Sequence, residues 1–189
     1  MLVAVSPGVR AEQARRTRAT IQDIALTLFA ARGYDATSLQ DIADELGLTK
    51  AAVYYHFPSK LELLQSICEP VYEGVAAIIA DAEAQTTRQR RIDAAAGGFA
   101  DLTVSRRATI SVLAADPVMH GRMKAASQML DLLDRLAHVI YGDSPTPDQL
   151  LAVRSIAVLS DTISTLPELA DDEARAVLSR TVKRLLPRR

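Results

Sequence analysis

Cysteine is almost absent. Cys68 is the only one in 189 residues, which excludes an internal disulfide and any thiolate metal cluster within one chain and fits a reducing cytoplasm. No uninterrupted apolar run reaches the length of a membrane span, and residues 1–9 lack a basic start followed by an apolar stretch, so secretion is not expected. Strand-like alternation of apolar and polar residues is missing as well. So is any excess of one charge: the net charge of −1 does not by itself advertise a nucleic-acid partner. Catalytic signatures are missing too. There is no Gly-rich phosphate loop, no His-Glu-x-x-His and no nucleophile elbow, and His56, His120 and His138 do not have metal-ligand spacing. No catalytic residue, cofactor or metal is expected.

What is present points to helices. The chain is 49% apolar and rich in Ala, Leu and Arg, all good helix formers, and it is long enough to bury a substantial core in one or two compact domains. The expected fold is all-α with about nine helices. Residues 37–60 organise the rest. Ser38 and Asp41 form a capping box, and Leu39, Ile42, Ala43 and Leu46 follow at the spacing of a short helix with one buried stripe. Gly47 supplies the positive φ of a sharp turn, Leu48 plugs the angle, and Thr49 caps a second helix from Lys50. That is a helix-turn-helix. Its second helix carries the small residues Ala51 and Ala52, then Tyr54, Tyr55 and His56, while Val53 and Phe57 turn back to the core.

The run Gly33-Tyr34, Thr37-Ser38, Ile42-Ala43, Gly47, Thr49 and Val53-Tyr54-Tyr55-His56-Phe57-Pro58-Ser59-Lys60 resembles the N-terminal domain of TetR (tetracycline-repressor-like) transcriptional regulators. Leu61 departs from it, standing where the family more often has an acidic residue. The resemblance covers about the first third of the chain and implies a repressor that binds a palindromic double-stranded DNA operator as a homodimer and is released by a small ligand. Thr49, Ala51, Ala52 and Tyr54 are expected at base edges, and His56 at phosphate. Thr37, Tyr55 and Lys60 join the phosphate anchors by the family pattern, and Ser38 and Lys50 complete the DNA-binding set. Local positive charge sits at the ends of this segment, in Arg10, Arg15, Arg16 and Arg18 before the first helix and in Lys50 and Lys60 beside the recognition helix.

The other helices have legible boundaries. Ile21, Ile24, Ala25, Leu28 and Phe29 stripe the first, which Gly33 ends. Ser59 and Glu62 cap a long helix with a seam of Leu61, Leu64, Cys68, Val71, Val75, Ile78 and Ala82, in which Pro70 is expected to cause a kink or break. Thr86 or Thr87, Asp116-Pro117, Thr146-Pro147 with Gln149, and Asp171 open the rest. The expected division is a helix-turn-helix domain over 1–60 and a helical ligand-binding and dimerisation domain over 61–189.

Ile156, Leu178 and a small-residue stripe of Val153, Ala157, Ser160 and Ser164 suggest a dimer seam on the last two helices, where the resemblance also places the interface. A ligand pocket is expected around Phe99, Met119, His120, Met123 and Gln128. Gly97-Gly98 either allows close helix packing or leaves room for a ligand. The competing reading is a helical dimeric scaffold without an operator.

Overall fold

A computed structural model describes residues 7–115, 125–166 and 168–186. Among these residues there are nine helices and no strand: α1 (Pro7–Arg32), α2 (Leu39–Glu45), α3 (Lys50–His56), α4 (Lys60–Glu83), α5 (Arg88–Ser105), α6 (Arg107–Ala115), α7 (Ala125–Tyr141), α8 (Pro147–Ser164) and α9 (Asp171–Leu185). Two compact units form, Met1–Ile67 and Cys68–Arg189, so the division falls inside α4 and not at its start.

In the N-terminal unit, Ile21, Ala25, Leu28 and Phe29 are buried along α1, with the Tyr34 ring edge-on to Phe29 at 5.2 Å between centroids. Gly33 ends α1 at φ +82° and Gly47 makes the α2–α3 turn at φ +61°, a region where a β-carbon is strained. The caps form as the residue types dictate. The Ser38 backbone N–H donates to Asp41 Oδ2 at 2.7 Å and the Asp41 N–H to Ser38 Oγ at 3.1 Å, while the Ala52 N–H donates to Thr49 Oγ1 at 3.2 Å. The Ser38 hydroxyl, which donates to Asp41 Oδ2 at 2.6 Å, and after it the Ser38 backbone N–H hold the Asp41 carboxyl below its ordinary pKa. At the head of α4, the Glu62 N–H donates to Ser59 Oγ at 3.1 Å and the Ser59 hydroxyl donates to Glu62 Oε1 at 3.2 Å.

The stripe of α4 follows the expected seam except at Leu61. Leu61 is 40% exposed, whereas Leu64, Cys68, Val71, Val75, Ile78 and Ala82 are buried as expected and Leu63 and Ile67 are buried beside them. By length and composition α4 could cross a bilayer, yet Leu63, Cys68, Ile79 and Ala82 are wholly buried inside the protein. Pro70 does not break the helix, which runs unbroken from Lys60 to Glu83. A proline has no N–H, so the carbonyl four residues back loses its intrahelical donor. That carbonyl belongs to Ser66, and Gln22 Nε2 of α1 supplies the missing donor at 3.1 Å, with a second bond to Ser66 Oγ at 3.0 Å.

In the C-terminal unit, α9 packs on α5, and α8 packs on α6 and α7, around Ile79, Ile92, Ala96, Leu136, Val153, Ile156 and Leu178. Glycine permits the tight α4–α5 crossing. A β-carbon on Gly98 would lie 2.6 Å from Ile78 Cγ1, and one on Gly74 would collide with Leu102, whereas Gly97 faces nothing within 4 Å. Of the two readings left open for the glycine pair, close packing therefore holds at Gly98.

Two arginines tie helix ends together. Arg107 donates to the carbonyls of Leu169 at 2.8 Å, Ile163 at 3.4 Å and Leu166, and reaches Asp171 Oδ1 at 3.3 Å. Arg91 donates to the carbonyls of Gln85 at 3.0 Å and Val139 at 2.7 Å. The seam expected to face a partner is interior to this chain: Ile156 and Leu178 are 0% and 1% exposed, and Val153, Ser160 and Ser164 are buried with them. Periodicity identified a buried face, but the neighbours that bury it are α5, α6 and α7 of the same chain. The apolar residues of α8 that do face outward are Leu151 and Val158, 66% and 63% exposed.

Candidate nucleic-acid interface

The recognition helix α3 is fixed from below and open above. Val53 and Phe57 are buried at 0% and 1% exposure, which forces Lys50, Ala51, Tyr54 and Tyr55 outward. Ala52 is half-buried beside them, and Thr49 is exposed at the leading end. This face has small residues first and aromatic hydroxyls after, a profile that lets a backbone come close to a flat surface while the tyrosines reach to its sides. The Lys50 ammonium lies 5.6 Å from the Tyr54 ring centroid, where the ring's negative face steadies it.

Behind the C-terminal end of α3, Arg18 Nη1 donates to the His56 carbonyl at 2.6 Å and its guanidinium stacks 4.0 Å from the Phe57 ring centroid. That contact satisfies a helix-end carbonyl and sets α3 against α1. Val9, Arg10, Gln13, Ala14 and Thr17 of α1, with Tyr55 and His56 of α3, then border an open concavity of about 610 Å³. Arg15 and Arg16 both pair with Glu12, at 2.6 Å and 3.1 Å.

Two expected phosphate anchors have other work in this structure. Thr37 is 1% exposed, and its hydroxyl donates to the Gly33 carbonyl at 2.9 Å and the Leu28 carbonyl at 3.4 Å. Lys60 Nζ donates to the carbonyls of Tyr34 at 2.7 Å and Thr37 at 2.8 Å and lies 4.2 Å from the Tyr34 ring centroid. Both side chains close the α1–α2 connection, whose carbonyls need donors once the chain leaves the helix. Ser38 is exposed, but its hydroxyl also donates to Asp41 Oδ2 at 2.6 Å, so it serves the cap first.

A second candidate site lies within the C-terminal unit. A cavity of about 260 Å³ is walled by Val75, Phe99, Leu102, Ile110, Leu113 and Met129, with Tyr72, Thr103, Ser160 and Asp161 as its polar members. Phe99 stands where a pocket was expected. Gln128 is exposed on α7 and does not line it, and Met119, His120 and Met123 lie outside the described residues. Tyr72, Thr103 and Met129 were not among the expected pocket residues, and Ser160, read from the sequence as part of a dimer seam, lines the cavity instead. Burial raises the Tyr72 phenol's pKa, so it presents a neutral hydroxyl. Burial likewise pushes the Cys68 thiol up to about 12, which makes it inert as a nucleophile.

Comparison with known proteins fits this geometry. Residues 21–67 match the family profile described as "Bacterial regulatory proteins, tetR family", a span that holds the helix-turn-helix, Thr37 and Lys60, with Arg18 just before it. The likeness is to the DNA-binding domain of that family and covers this segment of the chain.

Among curated relatives, it is 42% identical over 62 residues to the HTH-type transcriptional regulator TtgR of Pseudomonas putida, covering 33% of this chain and 30% of that protein. It is 49% identical over 45 residues to the biofilm operon icaADBC negative transcriptional regulator IcaR of Staphylococcus aureus, covering 24% of each. The matched part thus spans less than a third of these relatives' length. The fold extends further than the sequence likeness. The TetR-family regulator PfmR of Thermus thermophilus superposes with a TM-score of 0.65 at 23% identity, over 88% of this chain and 96% of that one.

Proposed function

We propose that this protein is a DNA-binding transcriptional repressor that acts as a homodimer on a palindromic operator and lets go when a small molecule enters the C-terminal cavity. The observation that carries this is the outward face of α3, with Lys50, Ala51, Tyr54 and Tyr55 exposed on a helix that Val53 and Phe57 lock in place. Thr49, Ala51, Ala52 and Tyr54 meet base edges. Lys50, Tyr55 and His56 hold phosphates, with Ser38 contributing from the head of α2. Thr37 and Lys60 act indirectly by holding the α1–α2 connection. IcaR is named a negative regulator, which supports repression as the sign.

Dimerisation through α8 and α9 is supported by Leu151 and Val158, seven residues apart and so two turns along one exposed face of α8. A dimer would set two reading heads about 34–36 Å apart or a multiple of that. Helix α4 is the transmitting element in this reading, because it gives Leu63 and Leu64 to the N-terminal core and Val71, Tyr72 and Val75 to the cavity wall. The ligand must then favour the arrangement that does not bind DNA, with a usual coupling of about 1–3 kcal/mol.

The test is a gel shift with DNA flanking the protein's own coding region, run alongside sedimentation. Wild type should retard one fragment as a dimer. Leu151→Glu with Val158→Glu should sediment as a folded monomer and lose most retardation. A wild-type protein that retards none of these fragments favours a scaffold without an operator.

A further inference from the structure

Three serines on α8 sit in comparable helical backbone, and two of them satisfy their hydroxyls locally. Ser155 Oγ donates to the Leu151 carbonyl at 2.8 Å and Ser164 Oγ to the Ser160 carbonyl at 2.8 Å. Ser160 does not. Its residue is 7% exposed, its Oγ is buried without a hydrogen-bond partner, and it lines the cavity. A buried hydroxyl without a partner is costly, and the cavity that the residue lines is the nearest space from which a partner can come.

The remaining walls define that occupant's chemistry. Phe99, Leu102, Ile110, Leu113 and Met129 are apolar, and no Lys, Arg or His is among the described lining residues, so none of these neutralises an anion. Asp161 is the single carboxylate in the wall, and it already has an interaction partner. Among the described lining residues a charged ligand of either sign therefore meets no free counter-charge. At interior packing density, about 260 Å³ accommodates roughly 10 to 15 non-hydrogen atoms.

We propose that the cavity binds a neutral, mostly apolar molecule of one or two rings carrying a single hydrogen-bonding group that meets the Ser160 hydroxyl. The inference rests on the ligand-responsive reading above but names the ligand class and the residue that selects it.

The experiment is calorimetric titration of the full chain, without DNA, by three probes that share one ring system: 2-naphthol, naphthalene and 2-naphthoate. In the wild type, 2-naphthol should bind about tenfold more tightly than naphthalene, as one hydrogen bond to a buried partner implies, and 2-naphthoate should give no measurable binding. Ser160→Ala should bring 2-naphthol down to the affinity of naphthalene and leave naphthalene unchanged. That replacement removes an unbonded hydroxyl, so folding is preserved. Ala157→Phe, on the same wall, should abolish binding of both neutral probes.

The proposal falls if 2-naphthol fails to bind, if its preference survives Ser160→Ala, if 2-naphthoate binds as well as 2-naphthol, or if Ala157→Phe binds both neutral probes normally. A protein that retards operator DNA but ignores 2-naphthol sinks this inference and leaves the regulator reading standing. One that binds 2-naphthol through Ser160 but retards no DNA does the reverse.

Discussion

In the N-terminal unit the polar side chains that reach inward end on backbone groups: Thr37 on the carbonyls of Gly33 and Leu28, Lys60 on those of Tyr34 and Thr37, and Gln22 on that of Ser66. The C-terminal unit contains the same device in Arg91 and Arg107, but it also buries hydroxyls of Tyr141 and Ser160 that meet nothing. The contrast matches the two functional surfaces proposed above. On that reading a DNA-reading head presents one rigid face, and among its described residues no buried side-chain polar atom lacks a partner. Ser160, in the wall of the proposed ligand cavity, leaves a bond open for something else.

The most severe way to break the comparison is to remove the device where the C-terminal unit depends on it most. Arg107 serves three carbonyls and Asp171 from a side chain only 21% exposed. Arg107→Ala leaves those acceptors unpaired between α8 and α9 and should cost about 3 kcal/mol, at the upper end for single substitutions outside the core. Urea unfolding followed by circular dichroism measures it. A loss under about 1 kcal/mol would mean that water replaces the guanidinium without penalty.

Next in size is Lys60. Because its ammonium bonds the carbonyls of Tyr34 and Thr37, Lys60→Ala should destabilise the N-terminal unit by about 1–2 kcal/mol and leave the salt dependence of DNA binding nearly unaltered. Lys50→Ala should do the opposite, with stability kept and the slope of log affinity against log salt reduced by roughly one unit. If Lys60→Ala lowers the slope and Lys50→Ala does not, the two lysines have been given each other's roles.

Gln22 and Pro70 come third and test whether the N-terminal bonds are complete in the sense argued. Gln22→Ala should cost about 1–2 kcal/mol in the presence of Pro70, since the Ser66 carbonyl then has no donor. In a Pro70→Ala background the restored N–H at residue 70 can take that carbonyl, so the same change should cost appreciably less. A double-mutant cycle by urea unfolding gives the coupling, and strictly additive effects would show that the amide and the proline do not complement each other.

These residues also mark where sequence reasoning reaches and where it stops. The caps at Ser38, Thr49, Ser59, Thr87 and Thr146 and the turns at Gly33 and Gly47 were legible because a side chain and an amide three residues away, or one glycine's φ, settle them locally. Thr37, Lys60 and Gln22 were not, because their partners are carbonyls, which every residue has and no pattern marks. The buried faces of α8 and α9 were visible in the spacing, yet spacing does not say whether a face is covered by its own chain or by another. Ile156 and Leu178 lie inside this chain. In α4 the apolar residues crowd several positions, and Leu63 joined the expected Leu64 inside while Leu61 stayed outside. The cavity was half legible: Phe99 was in view, but a hydroxyl left without a partner is a property of three dimensions.

The smallest expected effect is at Ser160, and its sign is what matters. In a protein interior, replacing a hydrogen-bonded serine by alanine usually destabilises, because the partner is stranded along with the lost bond. Ser164, on the same helix, donates to the Ser160 carbonyl at 2.8 Å, so Ser164→Ala should cost about 0.5–1 kcal/mol. Ser160 strands nobody, since its Oγ has no partner, and Ser160→Ala removes an unbonded polar atom while improving helix propensity by a few tenths of a kcal/mol. The ligand-free protein should therefore be unchanged or slightly more stable, by up to about 1 kcal/mol, as read from urea midpoints at constant slope. Should Ser160→Ala destabilise the ligand-free protein as Ser164→Ala does, the hydroxyl is already satisfied in solution, and the distinction drawn between a completed reading head and a cavity with an open bond no longer holds.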